Sequence, residues 1–187
     1  MIIAKPEDKE LFLEVLGNAF KGNKSSEWVS RKTKNLVGLM SYGFDKCQPK
    51  GGAYFSDDRK AVLLVDKPEV KLPFFKEIGI SLRLIFSVVG IKNVPSILKR
   101  ESYVKKFHPK EPYYYAWFLG VPPEEQGKGH GSKFIAEIFE KAYTEKRGIY
   151  LETSNPRNLP LYERFGFEIY HEWEGQGFTL WFLRKLP

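Results

Sequence analysis

Cysteine is nearly absent from this chain. Cys47 is the only one among 187 residues, so no internal disulfide braces the fold, and a reducing compartment suits it. No histidine stands near Cys47 in sequence, which argues against a thiol nucleophile. The three histidines (His108, His130, His171) are scattered and show no metal-ligand spacing, so no metal is expected. Long apolar runs are missing too. The most apolar stretch, Ile78 to Ile91, is interrupted by Arg83 and is too short for a membrane span. Met1 to Asp8 lacks a signal-peptide pattern. These absences lead to the expectation of a soluble, cytoplasmic protein without a membrane partner. There is no internal repeat, low-complexity segment or long linker.

What is abundant is aromatic and basic. The chain has 15 Phe and 10 Tyr, enough for dense packing or an aromatic-lined pocket. Its net charge of +7 is unevenly spread: residues 1–110 hold 21 Lys and Arg against 12 Asp and Glu, whereas residues 111–187 hold 9 against 11. Such a basic half suits acidic substrates or nucleic acid. The basic residues are nevertheless dispersed and not interleaved with aromatics, which argues against a nucleic-acid groove.

Apolar spacing predicts a helix over 7–20, with Pro6 at its start, and a second from Ser25 or Ser26 to about Ser41, stopped by Gly43. Ala53–Phe55 and Ala61–Val65 read as a hairpin. Helices follow over 74–89, ended by Gly90, and over 93–107, capped by Asn93. Tyr113–Val121, rich in β-formers between prolines, reads as a buried strand. After it come a glycine loop, a helix stopping near Gly148, a strand over Ile149–Thr153, a short helix over Leu159–Arg164, and a closing hairpin from Phe167 to Leu183.

The glycine loop, Gln126-Gly127-Lys128-Gly129-His130-Gly131-Ser132, carries the chemistry. Strand, loop, helix and strand form a βαβ unit with the loop at the strand's C-terminal end, where α/β sheets place ligands. A helix opens at once behind unobstructed backbone N–H groups, so phosphate or pyrophosphate is the expected guest. A Walker A loop would need Gly-Lys-Ser/Thr, and a dinucleotide fingerprint Gly-x-Gly-x-x-Gly; neither is present. The segment instead resembles the Gln/Arg-x-x-Gly-x-Gly/Ala signature of the GCN5-related N-acetyltransferase (GNAT) superfamily. Leu119-Gly120-Val121-Pro122-Pro123-Glu124 upstream resembles the family's preceding strand. Asn155, Leu161-Tyr162 and Gly166-Phe167 downstream match its later motifs. The resemblance is close over 113–173 and extends to residues 1–110 only in element order.

The resemblance implies an α/β (α+β) GNAT-like acyl-CoA N-acyltransferase fold, with a mixed, mostly antiparallel sheet of about seven strands and flanking helices. It implies one domain over 1–187, its cofactor core at 113–173 and its acceptor region at 1–112. The cofactor is acetyl-CoA. Its pyrophosphate is expected on the N–H groups of Gly127, Lys128, Gly129, His130, Gly131 and Ser132, with Gln126 in the signature, and side chains at 129 or 131 are expected to crowd it. The pantetheine arm is expected along Leu119, Gly120 and Val121, with Val121 N–H facing the thioester oxygen. Asn155, or Asn158 if the register shifts, bonds that arm. Tyr162 is the candidate general acid. Glu152 is the candidate base, in a Leu-Glu-Thr context like that of several relatives, although its spacing to Tyr162 is shorter here. His108 and Glu111 are outside candidates.

Acceptor specificity is expected from the first half, with Trp28, Phe74, Phe75, Tyr113, Tyr115 and Trp117 as aromatic walls. Strand alternation puts Tyr113, Tyr115 and Trp117 on one face, and Tyr114, Ala116 and Phe118 on the other. The reading is acetyl transfer to a small-molecule amine or a peptide, with hydroxyl acceptors and a homodimer left open. Its rivals are a non-catalytic acyl-CoA sensor on the same fold and a basic nucleic-acid-binding protein.

Overall fold

The computed structural model describes residues 1–187. Its strands are β1 (Ile2–Ile3), β2 (Ala53–Phe55), β3 (Val62–Asp66), β4 (Tyr113–Gly120), β5 (Gly148–Thr153), β6 (Glu168–Glu174) and β7 (Thr179–Lys185). They form one seven-stranded sheet in the order β1-β2-β3-β4-β5-β7-β6. Every neighbouring pair is antiparallel except β4 and β5. The mixed, mostly antiparallel sheet expected from sequence is therefore present. β1 was not foreseen, because two residues are too few to show a period; Ile2 pairs with Phe55.

The helices are α1 (Lys9–Ala19), α2 (Lys24–Val29), α3 (Leu36–Cys47), α4 (Phe74–Leu84), α5 (Val94–Lys105), α6 (His130–Thr144) and α7 (Leu159–Arg164). One face of the sheet is covered by α1 and α3, with Phe12, Leu16, Met40 and Phe44 packed on Phe55, Leu64 and Phe118. The other is covered by α6, whose Phe134, Ile138 and Ala142 meet Leu63, Tyr114 and Leu151. Each fully buried Phe or Leu contributes roughly 1.5–3 kcal/mol through lost water contact. β3, buried at all five positions, is the short continuous apolar run that a doubly covered central strand requires.

The second predicted helix is in fact two. Asn23 caps α2 by accepting from Ser26 N–H (3.0 Å), and Asn35 caps α3 by accepting from Gly38 N–H (2.8 Å). Between them Lys34 takes a left-handed φ of 54°, which no continuous helix allows. Gly43 does not stop α3. A Cβ there would lie 3.0 Å from the Phe118 ring, so this glycine lets the helix approach the sheet. Gly90 does end its helix, at φ 75°, after a π-helical turn over Ile85–Val89. Asn93 is not a side-chain cap: its Nδ2 donates to Val89 O and its Oδ1 accepts from Arg31.

Two irregularities in β4 prepare the site. Phe118 pairs with Leu64 and Ala116 with Val65, so Trp117 is an extra residue, a β-bulge. The bulge turns Phe118 to the α1 side together with Trp117, correcting the simple alternation. In addition, β4 pairs with β5 only from Tyr113 to Tyr115. Beyond that the two parallel strands part company, and from Ala116 onward the backbone of β4 has β3 on one side and no strand on the side that faced β5.

Candidate active site

The cleft opened by this separation has a volume of about 830 Å³. It gathers Leu119, Val121, Gln126, Gly127, Gly131, Glu152, Asn155, Asn158 and Tyr162 from the sequence-derived set. Gly120, Lys128, Gly129, His130 and Ser132 do not line it. Gly120 faces α1: a Cβ there would come within 2.8 Å of Leu16 Cδ2, so its glycine serves packing.

At the mouth of the cleft, Gly127 and Gly129 have φ of 77° and 87°, conformations that favour glycine. A Cβ at either would meet no protein atom within 4 Å, so the space in front of them is open to a guest. Gly129 is the N-cap of α6 and supplies no side-chain cap, leaving the first N–H groups of the helix free. Position 131 has a protein neighbour where 127 and 129 have none. An alanine Cβ would sit 3.5 Å from Val121 Cγ2, an ordinary contact, so Gly131 is not demanded by crowding within the chain.

The loop side chains are committed elsewhere. His130 lies between Asp58 (Nδ1 to Oδ2, 2.9 Å) and Glu125 (Nε2 to Oε2, 3.1 Å). Lys128 pairs with Glu125 at 3.3 Å, and Ser132 Oγ accepts from Arg164 at 3.3 Å. For a ligand, His130 therefore has its backbone N–H alone to offer. The Ser56 hydroxyl, Lys60 N–H and His130 hold the Asp58 carboxyl down at about 2, so the anchor is ionised at neutral pH. Gln126 Nε2 donates back to Val121 O at 3.0 Å, tying the loop to the end of β4. Asn155 accepts from Arg157 N–H (3.2 Å) and donates to Asn158 (3.5 Å). Both asparagines thus shape the turn before α7 while facing the cleft. Tyr162 packs edge-on against Phe167, and burial pushes its phenol up to about 12.

A second cavity of about 310 Å³ opens on the α1 and α3 side of the sheet. Tyr42, Tyr113, Tyr115, Trp117 and Phe118 form its aromatic wall. The two cavities share Phe20, Asn23, Trp117, Glu152 and Ser154, so Glu152 stands at their junction. Its side chain is 5% exposed, and that of His108 is 8% exposed. His108 Nε2 lies 2.8 Å from Glu152 Oε1, and His108 Nδ1 lies 2.8 Å from the Tyr113 hydroxyl. Because a carboxylate only accepts, Nε2–H donates to Glu152, and in the neutral imidazole Nδ1 then accepts from Tyr113. Tyr115 donates to the other Glu152 oxygen at 2.5 Å; burial, and next the Glu152 charge, push that phenol well above its ordinary pKa. The buried carboxylate thereby has both oxygens satisfied.

The fold and the loop agree with the comparisons. The family profile of the GNAT acetyltransferase domain matches residues 99–169. That stretch of the chain resembles a GNAT acetyltransferase domain. A Schizosaccharomyces pombe protein named as an uncharacterized N-acetyltransferase is 46% identical over 54 residues, which span 29% of this chain and 22% of that protein. A solved acetyltransferase of Corynebacterium glutamicum, described as histone acetyltransferase HPA2 and related, is 20% identical at a TM-score of 0.67, covering 100% of this chain and 94% of that one. Arylalkylamine N-acetyltransferase 2 of Aedes aegypti is 14% identical at a TM-score of 0.68, covering 98% and 96%.

Within this GNAT fold several sequence expectations need correction. Phe74 and Phe75 are 69% and 86% exposed and line neither cavity. Trp28 lies beneath the Arg31 guanidinium, 4.0 Å from its ring centroid, and also lines neither. Glu111 is exposed and away from the junction. Tyr42, Phe20 and Ser154 were missed; only Tyr42, on the apolar side of α3, carried any signal. Cys47 is fully buried, and burial raises its thiol well above the usual range, so it is no nucleophile.

Proposed function

We propose that this chain, as one N-acetyltransferase domain over 1–187, moves an acetyl group from acetyl-CoA to a primary amine with an apolar or aromatic body. The observation that carries this reading is Glu152 at the junction of two cavities, one a backbone cleft ending in a glycine loop, the other aromatic. The cleft fits the cofactor: unpartnered β4 backbone, open space before Gly127 and Gly129, and free N–H groups at the start of α6. Acetyl-CoA supplies the activated thioester. The N–H groups of the loop hold the pyrophosphate, and the Ala116–Val121 backbone pairs with the pantetheine arm.

The aromatic wall orients the amine toward Glu152. Most amines carry a proton at neutral pH and must lose it before they attack. The Glu152–His108 pair receives it by relay: the Tyr113 hydroxyl takes the amine proton as it passes its own to His108 Nδ1, and Glu152 balances the imidazolium. The nitrogen then bonds to the acetyl carbon, Val121 N–H steadies the charge developing on the carbonyl oxygen, and the C–S bond breaks. Tyr162, neutral because of burial, gives its proton to the departing sulfur and regains one from the second proton that the new amide nitrogen sheds. We also place the protein in the cytoplasm, on the strength of its one buried, unpaired cysteine.

The test is CoA release from acetyl-CoA over a panel of aliphatic amines, arylalkylamines, polyamines and peptides. Turnover with apolar primary amines is expected. Acetyl-CoA binding without turnover on any acceptor would instead indicate a sensor.

A further inference from the structure

The outer surface of α4 is unusual for a surface helix. Phe74 (69% exposed), Phe75 (86%), Ile78, Leu82 and Phe86 (65%) recur at helical spacing on one stripe. Ile91 and Leu98, 65% and 62% exposed, extend the apolar surface toward α5. None of these side chains is needed to hold the helix down, since Ile80 and Val88 face the protein and are buried. A helix that is apolar inward and outward has an unpaired face, and apolar patches of this kind mark interaction sites.

Charge identifies what covers it. Residues 67–110 hold 10 Lys and Arg against 3 Asp and Glu, a net +7, equal to the net charge of the entire chain. Lys76, Lys92 and Lys99, beside or between the exposed apolar residues, are themselves exposed, and Arg83 pairs with Asp45 at 3.1 Å. A second copy of this chain is a poor cover, because a twofold contact would press one +7 segment against the other. A stripe of Phe, Ile and Leu without hydrogen-bonding groups, framed by lysines, is the pattern of a helix lying in a lipid interface. We propose that α4 and its flanks seat the protein on an anionic bilayer, with the Phe side chains in the acyl boundary and the lysines at the headgroups. α4 has 11 residues, and no helix of the chain is long and apolar enough to cross a membrane. The seat is peripheral and invokes no span, but it departs from the expectation of no membrane partner. Leu98 both lies on this surface and lines the aromatic cavity, so the cavity rim adjoins the seat.

The experiment is flotation of the full chain with vesicles of phosphatidylcholine alone or with added phosphatidylserine, in the absence of acetyl-CoA. The protein is expected to float with the anionic vesicles, less so as salt rises, and to stay behind with the neutral ones. The double variant Phe75→Ser, Phe86→Ser should lose on the order of a hundredfold in vesicle affinity. Its melting temperature and its turnover on a water-soluble amine should stay as in the wild type. Failure of the wild type to float with anionic vesicles overturns the proposal, as does a double variant that binds as well as the wild type. So does light scattering that shows a dimer which the double variant dissolves, because a second copy would then cover the stripe. Vesicle binding does not depend on acetyl transfer, so the two readings stand or fall separately.

Discussion

The two cavities that meet at Glu152 are built by different means. The cleft is a backbone construction: two strands separating after Tyr115, two glycines at positive φ, and the open start of α6. The aromatic cavity is a side-chain construction, drawn from α3, α4, α5, β4 and the segment before β4. Backbone sites bind what all members of a family share, since few side chains enter them. Side-chain sites can be respecified residue by residue. The donor side should therefore be brittle at single glycines, and the junction should respond through rate more than through cofactor affinity.

The largest effect that would test this contrast is at Gly129. Gly129→Glu places a carboxylate in the open space before the loop, and like-charge repulsion should abolish measurable acetyl-CoA binding. The added left-handed strain, about 1–2 kcal/mol, leaves the protein folded against a typical total of about 5–15 kcal/mol. Calorimetry on the folded variant measures both; unchanged affinity would break the assignment of the loop. Gly131→Ala is the control, because its Cβ fits against Val121. It should keep affinity within about threefold.

Next comes Glu152→Gln, which preserves size and one hydrogen-bond acceptor while removing the charge that balances His108. Turnover should fall about 10²- to 10⁴-fold with acetyl-CoA affinity nearly unchanged. A loss of affinity equal to the loss of rate would move Glu152 from the junction into the donor site.

Tyr162→Phe should lower turnover by about a hundredfold, again without weakening the cofactor. Its pH behaviour is a separate check. The folded-state pKa, about 12, lies above the ordinary 10.0, so the fold favours the neutral phenol. That contribution is complete below pH 10 and is lost as pH rises through about 12. A pH–rate profile should therefore show no tyrosine-type fall near pH 10. Such a fall, absent in Tyr162→Phe, would contradict the burial seen here.

The smallest effect is expected at Cys47. Cys47→Ala should cost about 1–2 kcal/mol from the vacated volume and leave turnover unchanged. Thiol reagents should not inactivate the folded wild type. Inactivation through Cys47 would bring that buried thiol into the site.

The residues that gather around the cleft were legible because they are local in sequence. The glycine loop, Val121, Asn155 and Tyr162 fall in one stretch whose order and spacing a reader can follow along the chain. The acceptor side was only partly legible. Tyr113, Tyr115 and Trp117 were rightly placed on one face, but the bulge at Trp117 brought Phe118 to join them, and a bulge has no sequence period. Apolar spacing marks the helix that carries Phe74 and Phe75 without saying which face meets the core, so it could not show that both point outward. The partnership of His108 with Glu152 joins residues 44 apart, and no local pattern announces a contact across that distance.

By itself, then, the sequence determined the element order from β2 onward, the glycine loop and the helix behind it, because backbone conformation and hydrophobic period are written into neighbouring residues. The tertiary structure alone decided where the strands part, which aromatics wall the second cavity, that a histidine completes the Glu152 carboxylate, and that α4 turns phenylalanines outward. Those features depend on burial and on contacts between remote segments, which exist only once the chain has packed.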